Sequence, residues 1–186
     1  ALMFLCQPIY VLDKILSHRN IKMKKLILGF AAAGLFAAVS SVSAQSEYVT
    51  IEMEVDVNAP VRLVWEKIGD YCAISEWLDV DCEITSGDGG IGTVRSLAGG
   101  RITEVLVAQT DRSYGYAQPA PESGFYNFYH GNLEARYVNQ AAAQLVYTLM
   151  YDVSNLPDQA AKDADIAQRR QMFETALASM KALVEG

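Results

Sequence analysis

Arg95, Arg101 and Glu104 fall in adjacent segments with strand character. An arginine can polarise a carbonyl and a glutamate can carry a proton, so these types suit an acid–base site. The same residues also fit a cross-strand ion pair on the outside of a sheet. Period-two alternation groups Arg101 with Thr103 and Val105, and Glu104 with Ile102 and Leu106. Both cannot easily face inward, which favours the ion-pair reading. His130 is the one histidine beyond residue 44 and sits in a strand-like run. It is a weak acid–base candidate beside Glu104 and Arg95. HExxH, CxxC, P-loop and GxSxG patterns are absent, so no nucleophile–histidine–acid signature is present. One histidine and two cysteines able to pair leave few metal ligands. Neither a metal nor a cofactor is expected.

Aromatic side chains carry more information. Tyr114, Tyr116, Phe125, Tyr126, Phe128, Tyr129, Tyr137, Tyr147 and Tyr151 crowd the later strand-like segments. Tyrosine offers a ring for apolar contact and a hydroxyl to orient a ligand. Part of this set must be ordinary core.

The elements that position these residues follow from periodicity. Tyr48 to Val57 alternates, with Val49, Ile51, Met53, Val55 and Val57 on one face and acids or threonine on the other. Pro60 is placed as a first helical residue. Val61, Val64, Trp65 and Ile68 follow helical spacing up to Gly69, and Ile74, Trp77 and Leu78 repeat it. Two helices this short need a sheet to lie against. Strand-like runs follow at 81–85, 92–97, 101–109, 113–118, 126–138 and 142–153, joined by short turns. Such turns argue for an antiparallel meander. A long helix ends the chain. Ser154 or Asn155 is its expected cap, and Ile166, Phe173, Leu177, Met180 and Val184 form its apolar stripe.

Strand, two short helices, six strands and a long helix make an α+β fold. A curved antiparallel sheet wraps on the long C-terminal helix, and the two short helices after the first strand plug one end of the groove. The hollow left between helix and sheet is the expected ligand site. Trp77 from the second short helix, Tyr114, Tyr116 and Tyr147 from strands, and Phe173 and Leu177 from the long helix should face it together.

The ends of the chain carry other signals. Met23-Lys24-Lys25, the apolar run to Val39 and Val42-Ser43-Ala44 read as a signal peptide over 23–44. The alternative is an uncleaved membrane anchor, since the run approaches the ~20 residues a span requires. Residues 1–22 read as an upstream extension that is not part of the working protein, or as a membrane-interacting one. The remaining domain, 45–186, holds ten basic and twenty-one acidic residues, a net charge of −11. That surface repels nucleic acid and anionic headgroups. It leaves a protein partner open, and no membrane span is expected after signal cleavage. Cys72 and Cys82 lie ten residues apart, on the second short helix and the next strand. They read as a disulfide in an oxidising compartment or as two buried thiols, and the distance between them decides.

The stretch "VDVNAPVRLVWEKIGDYCAISEWLDVDCEI" pairs Ala59-Pro60 with Val64-Trp65, Asp70-Tyr71 and Trp77. "GDGGIGTVRSL" and "GGRITEVLVAQTDRSYGY" follow it. Together they resemble the polyketide cyclase/dehydrase and lipid-transport family of the START-related, Bet v 1-like (SRPBCC) superfamily. The likeness runs from about residue 47 to 185 and implies the helix-grip fold. A tryptophan frequent in that family's last strand is replaced here by Tyr147. The cavity-forming order, the aromatic strands and the absence of a nucleophile point to one activity, and the resemblance permits a second. The first is an exported, periplasmic or secreted binding protein for a hydrophobic or aromatic small molecule or lipid. The second is a cyclase or dehydratase acting on a polyketide-like substrate. A module assisting another exported protein is the third reading, with an apolar tip around residues 117–128 as its contact.

Overall fold

The computed structural model describes residues 46–119 and 128–186. The leader readings over 1–22 and 23–44, and most of the tip segment with Phe125 and Tyr126, lie outside them. The described elements are β1 (Tyr48–Val57), α1 (Val61–Ile68), α2 (Ile74–Trp77), β2 (Cys82–Ser86), β3 (Val94–Leu97), β4 (Ile102–Thr110), β5 (Ser113–Gln118), β6 (Tyr129–Asn139), β7 (Ala142–Asp152) and α3 (Gln159–Glu185).

The seven strands form one sheet in the order β1-β7-β6-β5-β4-β3-β2, antiparallel at every junction. From β2 onward each strand pairs with its successor, as short turns require. β1 instead pairs with the last strand, so β1 and β2 are opposite edges. The chain must cross the sheet between them, and α1 and α2 make that crossing. Their sequence position therefore has a topological cause. α1 buries Val61, Val64 and Ile68, and α2 buries Ile74 and Trp77. α3 covers the same side of the sheet with Phe173, Ala176, Leu177 and Met180. Burying these apolar faces is what holds elements too short to persist alone. In β1 the alternation behaves as read: Ile51, Met53 and Val57 are buried while Thr50, Glu52, Glu54 and Asp56 are exposed.

Two helix starts differ from expectation. Pro60 is the N-cap of α1, with ψ 137, rather than its first helical residue. Its fixed φ suits either position, and the extended ψ places the turn one residue later. At α3 the cap is Asp158, whose carboxylate accepts from Ala161 N–H at 2.8 Å. Pro157 cannot donate a backbone hydrogen bond, so it sits just outside the cap, and Ser154 instead donates its N–H to Asp152.

Candidate functional site

Register brings the chemistry together. Arg95 on β3 and Glu104 on β4 are direct cross-strand partners, and both point into the space between sheet and helices. Arg95 is 0% exposed and Glu104 3%. The pairing was read correctly, but its placement outside the sheet was not. A short turn between the strands fixes a register that puts the two residues opposite each other on the buried face. Arg101 sits in that turn, exposed, and donates from Nε to the Ala98 carbonyl at 2.9 Å.

Every polar atom of the pair but Arg95 Nη2 has a hydrogen-bond partner, and Nη2 makes an ion-pair contact outside hydrogen-bonding geometry. Arg95 Nε donates to Glu104 Oε2 at 2.7 Å, and Nη2 lies 2.6 Å from the same oxygen. Gln118 Nε2 donates to Glu104 Oε1 at 3.0 Å. Arg95 Nη1 donates to the Tyr71 carbonyl on the α1–α2 link. The Tyr71 ring covers the guanidinium at 4.0 Å, with Tyr116 at 5.3 Å and Tyr114 at 5.7 Å. Burial is the largest single influence and lowers the arginine pKa; the Glu104 carboxylate together with Tyr114, Tyr71 and Tyr147 outweighs it, and the net shift is upward. Arg95 is therefore a permanent cation, neutralised by one carboxylate and wrapped by rings.

The six aromatic and apolar candidates occupy one buried cluster. The Tyr116 and Tyr147 hydroxyls are hydrogen-bonded at 2.8 Å. Tyr147 lies 4.4 Å from the Phe173 ring and 6.4 Å from that of Trp77. Leu177 is buried on the same face of α3. Tyr114 contacts Tyr71 edge-on at 5.4 Å and Trp65 at 5.9 Å. Burial raises the hydroxyl pKa of Tyr114, Tyr116 and Tyr147, so all three stay protonated donors at neutral pH. His130 is not with them. It alternates with buried Tyr129 and Gly131, so it takes the outer face, half-buried and stacked on Phe128 at 6.2 Å. Desolvation lowers its pKa.

Some buried donors have no acceptor. Trp77 Nε1 and Tyr71 Oη lack hydrogen-bond partners among the described residues. The Tyr114 hydroxyl lies close to Arg95 but outside hydrogen-bonding geometry. A cleft of about 430 Å³ is lined by Tyr71 and Tyr114 of this group, but not by Trp77. Trp65, Gly69 and Tyr71 form one wall, Ile84 and Leu106 the other, and Tyr114 is also part of its lining. A second groove, about 480 Å³, runs along α3 past Trp77 and Met172.

Close backbone contacts set the ring positions. A Cβ at Gly131 would lie 2.3 Å from Tyr116 Cζ, so the Tyr116 ring lies flat over a bare backbone. A Cβ at Gly69 would lie 2.5 Å from Trp65 Cε2, which folds Trp65 back over the end of α1. Tyr71, Gln118 and Trp65 were not singled out from sequence as site residues. The isolated glycine within "YHGNLEARY" was the available signal for a close approach. Cys72 and Cys82 are joined by a disulfide, Cα–Cα 5.5 Å, which ties the Tyr71 link to edge strand β2. Among the described residues no cluster of metal-ligating side chains occurs.

A curved antiparallel sheet gripping a long C-terminal helix is the Bet v 1-like helix-grip fold. The profile of the family described as polyketide cyclase / dehydrase and lipid transport matches residues 48–185, and the chain belongs to that family. Among curated proteins no sequence match was found. An aromatase/cyclase from a Streptomyces species is similar in structure, with TM-score 0.58 and 21% identity over 75% of this chain and 94% of that one. Ara h 8.0201 superposes with TM-score 0.55 and 17% identity, over 74% and 98%. A protein from Nitrosospira multiformis gives 0.57 and 20%, over 74% and 97%. At these identities the likeness shows the fold.

Proposed function

We propose that this domain is an exported binding protein for a hydrophobic or aromatic small molecule or lipid. The ligand enters the cleft beside Trp65 and rests on the rings that cover Arg95. The observation that carries this reading is the buried, unpartnered Tyr71 hydroxyl, on a residue that lines an aromatic-walled cleft. A buried donor without an acceptor costs ~1–3 kcal/mol, and a ligand oxygen or nitrogen would offset that. The neutralised Arg95–Glu104 pair gives the floor direction without net charge. Export is supported by the Cys72–Cys82 bridge, which suits an oxidising compartment, and by the leader pattern at 23–44.

Titration with N-phenyl-1-naphthylamine, a neutral apolar dye, tests the reading. Saturable one-to-one binding is expected, weakened about tenfold or more in Trp65→Leu with a nearly unchanged melt, because cleft aromatics supply most of the contact. Absence of saturable binding, or affinity indifferent to Trp65, would contradict it.

One observation favours a second reading, a cyclase or dehydratase. Two of the three titratable candidates, Arg95 and Glu104, point inward. An inward guanidinium can stabilise an enolate oxygen, and positioning can do the rest. Both Glu104 oxygens are already engaged, by Arg95 and by Gln118, so proton transfer would need one to be released. Formation of an aromatic absorbance from a poly-β-ketone substrate would establish this activity.

A further inference from the structure

The cleft beside Trp65 has a charge pattern that the binding reading does not use. Its lining residues include two carboxylates, Glu66 and Asp70, and no lysine or arginine. Three aromatic side chains, Trp65, Tyr71 and Tyr114, stand against one another at steep angles: Tyr71 and Tyr114 at 81°, Trp65 and Tyr114 at 52°. Rings set across each other, with carboxylates at the edge, are the chemistry that recognises an organic cation.

Two of these rings, Tyr71 and Tyr114, already hold one cation from behind. Arg95 lies 4.0 Å from the Tyr71 ring centre, but its charge is matched by Glu104 at 2.6 Å. The carboxylates of the cleft are less occupied. Glu66 pairs with Arg62 on the exposed side of α1, where solvent screens the contact. Among the described residues the Asp70 carboxylate accepts only the neutral Cys72 N–H, at 2.8 Å. The buried Tyr71 hydroxyl adds an unpartnered oxygen at the same cleft. A neutral ligand would leave Asp70 without a cationic counterpart, and an anionic one would meet two like charges.

We infer that the cleft formed by Trp65, Tyr71 and Tyr114 selects a compact organic cation, a protonated or quaternary amine on an apolar body, with Glu66 and Asp70 as its counter-charges. This rests on the reading of the cleft as the ligand entrance and names the charge class it admits. The cationic head lies toward Trp65 and the rim, and the apolar body extends toward Leu106 and Ile84. Gly69 is what allows this arrangement, because any side chain there would displace the Trp65 ring.

Three probes of similar size separate the outcomes: benzyltrimethylammonium, benzyl alcohol and benzoate, each titrated by calorimetry into the folded domain. The cation is expected to bind about tenfold more tightly than the alcohol, with benzoate weakest. Glu66→Gln, at an exposed position, is expected to reduce cation affinity a few-fold at low salt and leave the alcohol unchanged. Trp65→Leu should abolish the preference. Equal binding of cation and alcohol would overturn the inference while leaving a neutral-ligand site intact. Tightest binding by benzoate would overturn it in sign. Failure of all three, alongside saturable and Trp65-dependent binding of the neutral dye, would overturn the inference alone; failure of the dye, or dye binding indifferent to Trp65, would remove both readings.

Discussion

Tyr116 sits where two constraints meet: its hydroxyl bonds Tyr147 and its ring lies on Gly131. Gly131→Ala is therefore expected to cost ~1–3 kcal/mol by overpacking, read by thermal or denaturant unfolding. In a Tyr116→Ala background most of that cost should vanish, because the ring that clashes is gone; an undiminished cost would mean the strain lies elsewhere. The Arg95–Glu104 pair obeys a different asymmetry. Glu104→Gln leaves a buried guanidinium uncompensated and should cost ~3–5 kcal/mol. Replacing both residues by apolar ones of similar volume should be near neutral or stabilising, which urea unfolding would show. Alkaline stability follows from the tyrosines. Burial raises the Tyr116 and Tyr147 hydroxyls above their usual 10.0, so the folded state holds its protons longer than the unfolded chain. Their contribution is full below about pH 10 and is lost as pH rises further. Phenolate absorbance from these residues should therefore appear together with unfolding rather than before it. At this scale sequence was a partial guide. The types and the Arg95–Glu104 pairing could be read, but the face could not, since alternation alone does not fix which side of a curved sheet is concave.

Elements decide how rigid the cleft is. β2 is an exposed edge strand, and the link carrying Tyr71 joins two short helices. The link buries Tyr71 and Ala73 while β2 is mostly exposed, and the Cys72–Cys82 bridge joins them. Closing a loop of this length contributes about 2.5–3 kcal/mol in the chain-entropy account. The Cys72→Ala/Cys82→Ala variant is expected to lose about that amount in equilibrium unfolding and to bind the neutral dye more weakly, because Tyr71 is no longer held over Arg95. Loss of stability with unchanged dye affinity would separate the bridge from the site. Helix and strand existence was legible because alternation is strong in β1 and helical spacing in α1, while α3 is long and rich in alanine. The starts of α1 and α3 were less so, since proline is compatible with both the cap and the position beside it.

Across the whole molecule, the order of elements carried most of the fold. Short turns forced a meander, and a strand at each edge forced the helical crossing between them. That logic reaches as far as the fold and stops before the ligand, whose identity depends on a few ring angles and donors that register alone brings together. Export is read from the leader and the bridge, and intact mass of the secreted or periplasmic protein should begin at Gln45 if cleavage follows Ala44. The central claim, a small molecule held on the rings around Arg95, is tested most directly by native mass spectrometry of the protein purified from its own compartment. One small organic molecule per chain is expected, released on unfolding and missing from the Trp65→Leu variant. The mass of the bare polypeptide in every preparation, with Trp65→Leu indistinguishable from wild type, would contradict it.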